Sequence, residues 1–165
     1  MVIDGYNVIN AWNDIFDLEK ETLEDCRDKL LNILSNYQGY KKVEIIVVFD
    51  AHLVKGGQKK KENFDNLKII YTKENQTADI YIERFVYEFA RDNVIRVVTS
   101  DYLEQRIVLS SGGIRMAPRE LKQDIEAARK SMKEEIPDNI NRTNTIMSNI
   151  DSELLQKLEK IRRGR

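Results

Sequence analysis

Three apolar runs that each close on an aspartate do most to limit what this chain can become. Val2-Ile3 leads into Asp4, Ile45-Ile46-Val47-Val48-Phe49 into Asp50, and Val97-Val98-Thr99-Ser100 into Asp101. Short apolar runs without alternation suit strands covered on both faces, as in a parallel sheet. Helical periodicity fills the intervals. Leu23, Cys26, Leu30, Ile33, Leu34 and Tyr37 make one stripe, and Ala78, Ile82, Phe85, Val86 and Phe89 another. Strands alternating with helices predict an α/β fold of three layers, a mostly parallel sheet flanked by helices. Such a sheet brings the carboxyl ends of its strands to one edge, which is where ligands bind. Thr77 is a suitable N-cap for the second helix, so Asp79 in its first turn is expected at that edge too.

The remaining segments are read the same way. A loop carrying Trp12 and Phe16 is expected after Asn7, and residues 36–39 are expected to end the first helix. Lys55-Gly56-Gly57-Gln58-Lys59-Lys60-Lys61 reads as an exposed loop, and residues 67–71 as a short strand. A helix is expected over 101–110, a turn at Ser111-Gly112-Gly113 and an edge strand over 114–116. Pro118 is well placed to start a long helix to about Lys133. The polar stretch 137–148 reads as a linker, and 151–163 as an amphipathic helix with Leu154, Leu155, Leu158 and Ile161 on one face. We therefore divide the chain into a main domain, 1–135, and a C-terminal helical extension with a basic tail, 136–165.

Composition narrows the class. A chain of 165 residues can bury a proper core as one domain. Its net charge of −1 supplies no bulk attraction for nucleic acid, so any such contact must be local. One cysteine, Cys26, excludes an internal disulfide and falls on a buried helix position. No apolar run approaches the ~20 residues that span a bilayer. No signal-peptide pattern opens the sequence, so the cytoplasm is the expected compartment. The first strand is short, and we expect a few further residues upstream of it. A monomer is the expected state.

An aspartate ending one strand is ordinary turn chemistry. Four acids converging on one edge are different, because they repel and resist ionising together unless a cation neutralises them. An all-oxygen set favours Mg²⁺ or Mn²⁺ over Zn²⁺, and such ions suit phosphoryl chemistry. Asn7 is placed to hold a substrate or a metal-bound water, and Ser100 to donate to a phosphate oxygen. Lys55, Lys59, Lys60 and Lys61 are either a solvated loop or phosphate contacts. His52 is either a proton shuttle or a polar residue at a strand exit. Glu83, one turn beyond Asp79, is either an outer partner of the acids or a solvated side chain. Tyr6, Trp12 and Tyr102 are candidates for stacking on unpaired bases, with packing as the other reading.

Four blocks taken together resemble a known family. They are Asp4-Gly5-Tyr6-Asn7-Val8-Ile9, Val48-Phe49-Asp50-Ala51-His52, Glu74-Asn75-Gln76-Thr77-Ala78-Asp79 with Ile82-Glu83, and Thr99-Ser100-Asp101 with Glu104-Gln105. In this order they resemble the YacP-like branch of the NYN domains, which are PIN-like nucleases. The lysine loop and the Lys160-Ile161-Arg162-Arg163-Gly164 ending fit the ribosome-associated endoribonuclease type within it. The resemblance implies a PIN-like sheet and a metal-dependent endoribonuclease acting on mRNA at the ribosome. It also implies that Asp4, Asp79 and Asp101 hold the metal with Asp50 in support, Asp4 and Asp79 foremost. Such nucleases often carry a further acid just after the one at Asp101. Here Tyr102 and Leu103 follow and the next acid is Glu104, so one ion rather than two is expected. Two other readings are an RNA- or ribosome-binding module with structural acids, and a phosphatase acting on a small phosphate ester.

Overall fold

The apolar runs pair with one another. In the computed structural model, which describes residues 1–51, 61–73 and 75–148 (side chains at 61–63 and 135–148 excepted), β1 (Val2–Asp4) lies at the centre of a sheet. β2 (Ile46–Phe49) and β5 (Arg96–Val98) flank it in parallel. Ile3 pairs with Val47 on one side and Val98 on the other, and Asp4 pairs with Val48. Beyond them run β4 (Leu67–Tyr71) and β6 (Ile114–Met116), also parallel, with β3 (Lys61–Phe64) as an antiparallel edge. The order is β3-β4-β2-β1-β5-β6. The fold is thus the expected mostly parallel α/β sheet with helices on both faces.

Side-chain alternation divides the core into two layers. Ile3, Val47, Val98 and Ile69 face α1 (Gly5–Ala11), α2 (Leu23–Lys41) and the start of α5 (Pro118–Ser148), against Val8, Leu30, Leu34, Leu121 and Ile125. Val2, Val48 and Val97 face α3 (Ala78–Phe89) and α4 (Tyr102–Ser110), against Ala78, Ile82, Val86 and Val108. Asp4, two residues after Val2, projects to the α3 and α4 side. That fixes which helices can bring partners to it.

Several boundaries differ from the sequence expectation. The helix α1 begins at Gly5 where a loop was expected; at seven residues it is too short to display a period, yet it buries Tyr6, Val8 and Ile9. Helix α2 runs through Asn36 and Gly39 to Lys41, and Lys42 itself takes the left-handed cap conformation at φ 54°. Lys61 is not in a loop but opens β3. Its strand is held by backbone pairing to β4 across a two-residue Asp65-Asn66 turn, with Asp65 at φ 51°, rather than by any apolar pattern. Helix α5 passes through 137–148, where a linker was expected. That stretch has no glycine, although Pro137 at its start supplies no N–H to the helix. One compact unit comprises Met1–Ala128 and carries the whole sheet; a second comprises Arg129–Arg165. Among the described residues no helix is long and apolar enough to cross a membrane.

Candidate functional site

Asp4 ends β1 and caps α1, its Oδ1 accepting the Asn7 backbone N–H at 3.0 Å. It is buried, because the residue after it lies hard against the sheet. A Cβ on Gly5 would sit 2.1 Å from the Phe49 ring, so only glycine allows the chain to turn from strand to helix there.

Asp79 lies in the first turn of α3, behind the Thr77 cap. Asp50 holds the start of that helix: its Oδ1 accepts the Ala78 N–H at 2.8 Å and lies 3.5 Å from the Thr72 hydroxyl. A carboxylate at this end also meets the positive pole of the helix dipole.

The turn from β5 to α4 contributes an acid that the strand-end pattern does not reveal. Asp101 caps α4, its Oδ1 accepting from the N–H groups of Leu103 at 2.7 Å and Glu104 at 3.2 Å. An acid three residues after a cap normally reaches back to the cap's own N–H. Here that N–H is taken by the Thr99 hydroxyl at 3.1 Å. Glu104 is therefore released to turn inward. It is 4% exposed; the Thr99 and Asp79 side chains are its polar neighbours, and neither makes a hydrogen bond of good geometry with Oε1 or Oε2.

Asp4, Asp79 and Glu104 each offer a carboxylate oxygen within 4.8 Å of the other two. The crowding shows in their protonation. Burial, then the Asp79 and Asp50 charges, pushes Asp4 up to about 7, against the opposing pull of the Asn7 N–H. Burial, with the charges of Asp4, Asp79 and Asp101 adding, pushes Glu104 up to about 8 against the opposing pull of the Thr99 hydroxyl. Asp79 is raised by burial first and then by Asp101 and Asp50.

A family model described as the YacP-like NYN domain matches residues 1–163. The chain belongs to the YacP-like NYN domain family. It is 38% identical over 167 residues to a Bacillus subtilis (strain 168) protein named "Uncharacterized protein YacP", covering 99% of this chain and 96% of that one. A crystal structure of Rae1 (YacP) from Bacillus subtilis superposes with a TM-score of 0.72 at 37% identity, covering 99% of this chain and 94% of the other. A mutant of the same protein gives 0.68 at 35%, with the same coverage. Membership in this nuclease family supports an RNase-like role.

The NYN domain brings some of the expected residues together and not others. Asp4 and Asp79 meet, with Glu104 as the third member; Asp101 caps α4, is exposed as Asp79 is, and is the charge that acts most on Asp79. Asn7 and Ser100 meet each other: Asn7 Oδ1 accepts the Ser100 N–H at 2.7 Å and the Ser100 hydroxyl as well. Glu83 is exposed on α3. Tyr6 and Trp12 are core residues, which removes them as base-stacking candidates. The Tyr6 hydroxyl accepts from Arg27 at 2.8 Å, and Trp12 Nε1 donates to the Pro118 carbonyl at 2.9 Å. Tyr102 is 70% exposed beside the Asp101 cap. His52, Lys55, Lys59 and Lys60 lie outside the described residues, as does the side chain of Lys61.

Proposed function

We propose that this chain is a divalent-metal-dependent endoribonuclease that cleaves mRNA in association with the translating ribosome. The observation that carries the reading is Glu104, a buried carboxylate with no hydrogen bond of good geometry, gathered with Asp4 and Asp79 within 4.8 Å. A buried polar group without a partner is costly, and a charged one more so, unless a ligand compensates it. The donor set is all oxygen, so it fits Mg²⁺ or Mn²⁺.

Asp4, Asp79 and Glu104 would hold the ion, with Asp101 as an outer partner at the rim. When bound, such an ion supplies charge stabilisation at the phosphate and a water of lowered pKa. The rest falls to the protein. Asp50 and Asp101 fix the starts of α3 and α4, and with them the positions of Asp79 and Glu104. Tyr102 offers a ring to an unpaired base, and Lys55, Lys59, Lys60 and Lys61 offer charge to the phosphates on either side. We further propose that the protein acts as a cytoplasmic monomer, and that the ribosome presents the mRNA strand.

Cleavage of a translated mRNA on ribosomes, with naked RNA in parallel, tests this. Wild type should cut on ribosomes, and Asp4→Asn and Asp79→Asn should not. Equal cleavage by either variant would contradict the assignment. Cleavage of naked RNA at the same rate would remove the ribosome from it.

A further inference from the structure

We propose that Asn7 is a positioning residue that sets the separation of the two buried carboxylates, Asp4 and Glu104. The inference rests on the metal-binding reading above and adds a specific part to it. Asn7 touches both arms of the site. Its backbone N–H binds Asp4 Oδ1 at 3.0 Å, and its side-chain oxygen binds Ser100, 93 residues away. Ser100 leads into Asp101, whose carboxylate accepts the Glu104 N–H. The Thr99 carbonyl is held in turn by Gln105 Nε2 at 2.8 Å, so the turn is braced from the α4 side as well.

The placement explains why such a tie is needed. Backbone pairing of β1 with β5 ends at Ile3 and Val98. Past that point the chains part, one into α1 and the other into α4, and two mutually repelling carboxylates sit in the gap. The Asn7–Ser100 contact joins the two segments beyond the sheet. It also occupies the Asn7 carbonyl oxygen and both Ser100 donors. Asn7 Oδ1 accepts two donors, which fills both lone pairs of a carbonyl oxygen, and Ser100 commits both its N–H and its hydroxyl. Of the pair's side-chain donors, only those on Asn7 Nδ2 are not used by the tie.

The test compares wild type, Asn7→Ala, Ser100→Ala and the double variant. Mn²⁺ binding is measured by titration without RNA, kcat and KM are measured on RNA, and thermal melting is followed in EDTA. Asn7→Ala should weaken Mn²⁺ binding about tenfold or more, the size typical of a group that orients metal ligands. It should lower kcat while leaving KM for RNA within about twofold. Ser100→Ala keeps the backbone N–H and should weaken Mn²⁺ by less, and the double variant should be no worse than Asn7→Ala alone. Unchanged Mn²⁺ affinity with a raised KM for RNA would overturn the proposal in favour of substrate contact. If Asn7→Ala does not fold, Ser100→Ala decides on the same Mn²⁺ readout, with unchanged Mn²⁺ affinity overturning the brace. Wild type that binds Mn²⁺ but leaves RNA intact would overturn the nuclease reading, while the Mn²⁺ comparison still judges the brace. Wild type that binds no Mn²⁺ would overturn both.

Discussion

Two helix starts in this molecule carry the same local signal and put it to different uses. At α2, Thr22 caps the helix and Asp25 answers it: Thr22 Oγ1 accepts the Asp25 N–H at 3.1 Å, and Asp25 Oδ2 accepts the Thr22 N–H at 3.3 Å. At α4, Asp101 caps the helix, but Glu104 in the equivalent place does not answer, because the Thr99 hydroxyl already holds the Asp101 N–H. One acid is exposed and answers its own cap; the other is buried and faces Asp4 and Asp79. A local pattern identifies a helix start. What the neighbouring residue leaves free decides whether the acid stabilises the helix or builds a site.

The comparison is broken most directly by exchanging the acids for amides. Glu104→Gln should reduce RNA cleavage by at least about a hundredfold, as expected for a group closer to the metal than an orienting one. Asp25→Asn should leave cleavage unchanged and reduce only melting temperature. Cleavage assays on both variants check this, and similar losses in the two would erase the distinction.

A backbone change sharpens the same contrast. Gly5→Ala would drive a methyl into the Phe49 ring and should cost about 1–3 kcal/mol, by denaturant melting, while displacing Asp4. Gly39→Ala, in α2, meets nothing within 4 Å and should stabilise by roughly 0.5–1 kcal/mol.

Protonation separates the two starts by sign. Asp4 and Glu104 titrate later in the folded chain than in the unfolded one. Their contribution is therefore fully present at low pH, where both states keep the proton, and is lost between about pH 4 and about pH 8. Asp25 is held low by the Thr22 hydroxyl first and the Thr22 N–H second, so its contribution is present above the ordinary aspartate range and lost on acidification. Melting curves without metal should show stability falling toward pH 8 in wild type and a flatter profile in Asp4→Asn. Added Mn²⁺ should restore the loss. A wild-type profile that rises toward pH 8 without metal would contradict it.

The smallest expected effect lies just outside the acids. Tyr102→Ala should raise KM for RNA by about tenfold with kcat unchanged, and Tyr102→Phe should preserve it.

Much of this arrangement is legible in the amino-acid order, for reasons that differ by residue. Asp4, Asp50 and Asp101 announce themselves because each ends an apolar strand, and parallel strands bring their ends to one edge. Their separate tasks are hidden, since a carboxylate that caps a helix and one that joins a cluster of acids look alike in one dimension. Glu104 is hidden for that reason too: its burial depends on Thr99, five residues back, taking the N–H it would otherwise bind. Helix α1 is too short to show a period, and β3 has edge-strand composition with no apolar face. Tyr6 and Trp12 resemble base-stacking residues until the fold covers them.

The central claim is that Asp4, Asp79 and Glu104 share one metal ion. The most direct test is the anomalous difference map of a crystal soaked in Mn²⁺. One peak is expected within coordination distance of all three carboxylates, with Asp101 still capping α4. A peak held by Asp79 and Asp101 with Glu104 turned away, or no peak at the strand ends, would contradict it.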